Sequence, residues 1–275
     1  MKRRILASAV AAVGLGVMAS ASRADYVGPI GTVLLNWGYY NSNYGGEFTA
    51  TLTYSSGAPA IIPQATPPDD PNLLPAPAGE AVFQTFCIQE GTNDVTFNPG
   101  GTYNASVSLQ APLYSGGTET LTSGVQDLFS EFWNGTLTGY NFATNGYTAG
   151  TTLSRVESAA ALQDAIWVLQ GDQSSVGAAA PDAGADSASQ TQAQAWLNDV
   201  GFAGYNNGAV TLGGNYSNAS SVEVLDLQYQ NGGPIAQAQL VEIDAAPLPA
   251  AASSMIAMLG ALALFGWIRK ARKVV

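Results

Sequence analysis

Ser154-Arg155-Val156-Glu157-Ser158-Ala159-Ala160-Ala161-Leu162-Gln163-Asp164-Ala165-Ile166-Trp167-Val168-Leu169-Gln170 reads as a helix whose start is written into it. Ser154 can take the first free backbone N–H groups, and Glu157 three residues on can reach back to Ser154, the reciprocal pattern of a capping box. Val156, Ala159, Ala160, Ile166 and Trp167 stand three, four or seven residues from Gln163 and so share its side of the helix. A carboxamide in the middle of an apolar stripe costs about 1–3 kcal/mol if it is buried without partners. Something should therefore satisfy it or react with it. The chain has one cysteine, Cys87 in Phe83-Gln84-Thr85-Phe86-Cys87-Ile88-Gln89-Glu90, and that residue is the candidate.

Outward from this helix, the pattern alternates between strands and a helical section. Phe48, Ala50, Leu52 and Tyr54 alternate with Thr49, Thr51 and Thr53, which predicts a half-buried strand over Glu47–Tyr54. Further strands are expected at Glu80–Glu90, Thr102–Gln110, Ala209–Leu212, Ser221–Tyr229 and Gln237–Ile243. Gly57–Gly79 holds seven prolines and reads as an irregular surface loop. A helix is expected over Ser123–Trp133, with Ser123 as cap, Gln126 at the capping-box position and Gly135 as its stop. A third helix should run Ser187–Val200 and end at Gly201. Strands on both sides of three helices imply an α+β fold, a β-sandwich or barrel-like sheet with the helices inserted on one side. No internal repeat sets a period, which argues against a solenoid or propeller.

Charge narrows the chemistry. Of nine basic residues, Lys2, Arg3, Arg4 and Arg23 precede Asp25, and Arg269, Lys270, Arg272 and Lys273 follow Ile268. Arg155 is thus the single basic side chain between Asp25 and Ile268, against twenty acids. Nucleic acid is not an expected partner of so anionic a surface. The chain has no histidine and no lysine in that span, so Ser–His and Cys–His pairs, histidine metal sites and Schiff-base lysines are excluded. No EF-hand spacing occurs, and neither a metal nor another cofactor is expected. Glu131 and Asp164 are the nearest candidates for a two-carboxylate hydrolase, but nothing in the spacing fixes them as a pair, and the chain is not expected to be an enzyme.

The two ends read as addresses. Lys2, Arg3 and Arg4 lead an apolar run from Ile5 to Met18 that closes on Ser22-Arg23-Ala24, a secretory signal with cleavage expected between Ala24 and Asp25. Ala250–Ile268 is uncharged and mostly apolar; as a helix it would rise about 28 Å, close to the ~30 Å hydrocarbon core, and its basic tail should stay cytoplasmic. Three segments follow: a signal peptide at 1–24, an exported domain at 25–246 and an anchor at 247–275. Pro247-Leu248-Pro249, the apolar run and the basic end resemble a PEP-CTERM sorting signal, with Leu248 in place of the usual glutamate. That resemblance implies export to the cell envelope or extracellular matrix, a C-terminal membrane helix and an exosortase-type processing enzyme.

Phe86-Cys87-Ile88 on a strand, followed by Gln163-Asp164-Ala165-Ile166-Trp167 on a capped helix, resembles the Cys–Gln thioester domains of bacterial surface adhesins. The present chain departs from that pattern at Leu162, where a threonine is common. The resemblance implies that Cys87 is the nucleophile and Gln163 the acyl donor of an internal thioester, with Phe86 and Trp167 shielding it from water. Such a bond would attach the protein to amines or hydroxyls of a surface polysaccharide or protein ligand. The competing expectation is a non-catalytic exopolysaccharide- or biofilm-associated envelope protein with an ordinary buried Cys87. In it, Trp37, Tyr39, Tyr40 and Tyr44 are an aromatic stretch that could stack on sugars.

Overall fold

The computed structural model describes residues 27–41, 46–65, 76–90, 100–113, 117–143, 152–177, 187–206, 209–212, 221–230 and 236–244. The expected signal and sorting segments, with Ala24, Asp25, Pro247 and Pro249, lie outside the described residues, as do the middle of the proline-rich loop and Tyr44. Among the described residues no helix is long and apolar enough to cross a membrane. The elements run β1 (Gly28–Asn41), β2 (Gly46–Tyr54), β3 (Glu80–Thr85), β4 (Gly101–Ser108), β5 (Gln110–Pro112), β6 (Thr118–Thr120), α1 (Ser123–Trp133), α2 (Arg155–Gln170), α3 (Ser187–Asp199), β7 (Phe202–Asn206), β8 (Ala209–Leu212), β9 (Val222–Tyr229) and β10 (Gln239–Glu242). All lie in one compact unit, Tyr26–Asp244, and the fold is α+β.

Six antiparallel strands form the main sheet in the order β10-β9-β4-β1-β2-β3. The sheet curls until its two ends nearly meet. Past β3, Cys87 pairs with Gln239 of β10, and Ile61 in the proline-rich segment pairs with Ile243, so β10's second edge is taken. Thr85 helps seal the seam: its hydroxyl accepts from the Leu240 amide at 3.1 Å and donates to the Leu240 carbonyl at 2.6 Å. A nearly closed barrel-like sheet leaves little free edge for another chain to pair with. The segment expected as a free surface loop is thus partly tied in, with Ile62 N–H donating to Glu242 and Ala65 N–H to Trp133. Two small hairpins, β5-β6 and β7-β8, stand apart from this sheet. Ala209–Leu212, expected as a closing strand of the main sheet, pairs instead with β7.

The longest strand is β1, which the sequence reading did not assign. It lies between β2 and β4 at the middle of the sheet. Its alternation is broken by two irregularities, one between Pro29 and Gly31 and one between Trp37 and Asn41. Buried residues therefore switch phase, from Ile30 to Val33 and Leu35, and again to Gly38 and Tyr40. A period-2 test fails on such a strand. Two glycines are demanded by close approach: a Cβ on Gly31, whose φ is +152°, would sit 2.0 Å from the Thr53 carbonyl oxygen, and one on Gly38 would sit 2.1 Å from that of Glu47.

The helices follow their caps. Ser154 and Glu157 form the expected reciprocal box at the start of α2, and Gly171 ends it in the left-handed conformation at φ 91°. At α1 the capping side chain is Thr122, which accepts from the Val125 amide, rather than Ser123. Thr122 is extended (φ −74°, ψ 150°), as a capping residue requires, while Ser123 is already helical. The expected single apolar stripe on α2 is also corrected. From Ser158 to Leu169 every residue is buried, and Val156, assigned to the stripe, is 37% exposed. A helix enclosed on all sides needs no stripe, because neighbours surround it: α2 packs against β1, β2, α1 and α3. Its Ala159, Ala161 and Ala165 let those neighbours approach closely, and no Ala160 or Ala161 side chain has a rotamer to lose.

Candidate functional site

Glu80–Glu90 is not one continuous strand. Pairing with β2 ends at Phe48↔Thr85, and Cys87 makes only the bridge to Gln239. The amide of Ile88 donates to Ala238 and the carbonyl of Phe86 accepts from Leu240, each at 3.1 Å. Cys87 and Gln239 are therefore a non-hydrogen-bonded antiparallel pair, and the N–H and C=O of Cys87 point away from β10. On that side the pairing with β2 has ended, and the side chain of Gln163 takes its place. Cys87 N–H donates to Gln163 Oε1 at 3.2 Å, while Gln163 Nε2 donates to the Cys87 carbonyl at 2.7 Å. The carboxamide thus acts as one more peptide group of the sheet.

This pairing brings the sulfur to the amide. The Cys87 thiol donates to Gln163 Oε1 at 3.3 Å, with Cys87 2% and Gln163 1% exposed. Burial pushes the Cys87 thiol well above its ordinary pKa, so it is held protonated. The geometry has chemical content. A backbone N–H polarises the carbonyl, a backbone C=O holds the nitrogen, and a thiol lies beside the same carbonyl in a site from which water is excluded. The two motifs of the sequence meet here because α2 packs across the end of β2, which sequence spacing alone does not encode.

The other candidates fall out differently. Trp167, one turn after Gln163, is 4% exposed, and its indole N–H has no hydrogen-bond partner. Phe86 is fully buried, and its ring makes edge contacts with Phe129 and Phe132 of α1 at 6.5 and 5.0 Å. It is part of the α1 aromatic cluster, which also holds Trp133 and Tyr140. Of the aromatic stretch expected to stack on sugars, Tyr40 is not on the surface: it is 4% exposed beneath the Arg155 guanidinium, 4.4 Å from its ring centre. Trp37 is 44% exposed but stacks on Phe48. An alternating strand hides every second side chain, and the register shift after Trp37 turns Tyr40 inward. Glu131 and Asp164 have different neighbours, Asp127 and Asp199 for the first and Gly177 for the second, and form no catalytic pair. Among the described residues no group of three or more metal-binding side chains gathers.

Several partly buried acids have raised pKa values. Asp164 follows Gln163, and Asp172 Oδ2 accepts from the Glu90 amide at 2.9 Å. Glu119 Oε1 accepts from Gln170 at 2.9 Å. Burial pushes Asp164 up to about 6, partly offset by a hydrogen bond from the Gly177 amide. Burial, then the charge of Asp172, pushes Glu119 up to about 7, against a lowering bond from Gln170. Burial also raises Asp226 to about 6. A carboxyl group whose folded pKa exceeds its unfolded one stabilises the fold below the unfolded value and loses that contribution as pH rises through the folded value. The window here is about pH 4 to 7. The thermal midpoint should therefore be higher at about pH 5 than at about pH 8. Asp164→Asn, which keeps an oxygen for the Gly177 amide, should shrink that difference; calorimetry at the two pH values would show it, and an unchanged gap would refute the assignment.

No protein-family model, curated protein or solved structure matches the chain.

Proposed function

We propose that this chain is an exported cell-surface or matrix protein that attaches covalently through an internal Cys87–Gln163 thioester. The observation that carries the reading is the contact of the lone thiol with a carboxamide already gripped at both of its polar atoms by the Cys87 backbone. In the bond-forming step, sulfur adds to the Gln163 side-chain carbonyl carbon. The C–N bond breaks, and the thiol proton leaves with the nitrogen as ammonia. Cys87 N–H stands ready to stabilise the oxyanion of the tetrahedral intermediate. An amine or hydroxyl of a surface ligand then displaces sulfur and becomes joined to Gln163, returning the proton to Cys87. The absence of lysine between Asp25 and Ile268 leaves no side-chain amine in that span to consume the bond. Signal-directed export, a C-terminal membrane helix and exosortase-type sorting belong to the same proposal and rest on the sequence of the two ends.

A second reading is favoured by one observation: both polar atoms of the Gln163 amide are already satisfied, as in a purely structural glutamine. On that reading the protein is a non-catalytic, polysaccharide-associated envelope protein. Intact mass spectrometry separates the two. The purified protein should lack the mass of one ammonia, methylamine should convert it to an adduct on Gln163, and Cys87→Ala or Gln163→Ala should abolish both. Full mass, with a thiol alkylated only after denaturation, would establish the structural reading.

A further inference from the structure

Gln239 stands directly opposite Cys87 in the non-hydrogen-bonded bridge, so the two side chains project to the same face at the closest spacing an antiparallel pair allows. Its side chain is fully buried. Gln239 Nε2 donates to the Gln237 carbonyl at 3.2 Å, and since a carbonyl can only accept, this contact fixes which end of the carboxamide is nitrogen. The other end, Oε1, is a buried acceptor with no partner. A neutral carbonyl oxygen buried without a partner, on a residue paired with Cys87, is expensive unless something donates to it. Gln237 is itself held in place, its amide donating to the Gln89 carbonyl, and Gln89 Nε2 donates to Pro112 at 2.7 Å. The acceptor therefore sits at the end of a fixed chain of glutamines.

We infer that Gln239 is a positioning residue for the attacking nucleophile, its Oε1 accepting one N–H of a primary amine as the amine approaches the Gln163 acyl carbon. The inference rests on the thioester reading. A primary amine carries two N–H bonds: one is held by Gln239, and the other proton passes to sulfur as the C–S bond breaks and the C–N bond forms. A thiol has a single S–H, whose proton must leave, so it gains nothing from Gln239. Because the acceptor is a carboxamide, the effect is one of orientation and does not add a titrating base.

The test follows loss of the thioester in the full chain by intact mass, with methylamine and with 2-mercaptoethanol as separate nucleophiles. Gln239→Met, close in volume, should retain the ammonia deficit, slow the methylamine reaction about tenfold, the scale of one hydrogen bond, and leave thiol exchange unchanged. Gln239→Glu should restore the methylamine rate, because a buried acid group can donate to Gln237 and still offer its carbonyl. Equal slowing of both nucleophiles would mean a merely structural role and would overturn the inference. So would a Gln239→Met protein reacting with methylamine at the wild-type rate, while its ammonia deficit left the thioester reading standing. A wild-type chain at full mass would remove both.

Discussion

Arg155→Met is expected to destabilise the fold by about 3–5 kcal/mol, because it strands a carboxylate in the interior. Arg155 Nε lies 2.8 Å from Glu47 Oε1 and Nη2 2.9 Å from Oε2, a two-pronged ion pair with side chains 2% and 0% exposed. Nη1 donates to the Phe142 carbonyl at 3.2 Å, Tyr40 lies beneath the guanidinium, and the Tyr140 hydroxyl donates to Glu47. Burial alone lowers the Arg155 pKa, but the Glu47 carboxylate outweighs it and holds the guanidinium charged. Since Arg155 opens α2 and Glu47 sits near the start of β2, the pair bolts the helix carrying Gln163 to the sheet. The double variant Glu47→Leu/Arg155→Met should lose less than Arg155→Met alone, since no charge is then left unpaired. Denaturant unfolding of the two proteins tests this. A double variant losing as much as Arg155→Met alone, or more, would refute it, since removing the stranded carboxylate would then have relieved nothing.

The second large effect concerns the link itself. On the thioester reading, a bond between residues 76 apart in sequence constrains the unfolded chain. By the loop-entropy relation for crosslinks, that closure is worth about 4 kcal/mol. Methylamine treatment should therefore lower the unfolding midpoint of the wild-type protein markedly and leave Cys87→Ala, which carries no link, where it was. Superimposable wild-type curves before and after treatment would show that no crosslink was present to open.

How much of this was legible in the sequence differs from element to element. The Ser154/Glu157 box placed α2 to within a residue, because a cap is a local hydrogen-bond problem solved by residues three apart. Thr49, Thr51 and Thr53 between apolar neighbours gave β2 for a similarly local reason. By contrast β1, with glycines and two changes of phase, carries a pattern that makes sense only once β2 and β4 lie against it. Arg155 stood out in the sequence as a lone cation, yet nothing local said that its partner lies 108 residues back.

The sequence by itself determined the inventory: one thiol, no histidine, a single cation between Asp25 and Ile268 against twenty acids, and a capped helix with a glutamine at its middle. Those are facts about which groups exist, and they bound the available chemistry without any fold. Only the tertiary structure decided who meets whom. Cys87 faces Gln163 because the pairing of β3 with β2 ends at Thr85 and the seam with β10 turns the remaining backbone groups of Cys87 toward α2. Gln239 is set opposite Cys87 by the same seam. Such meetings are fixed by long-range strand register and helix packing, where many residues together choose an arrangement that no short stretch specifies.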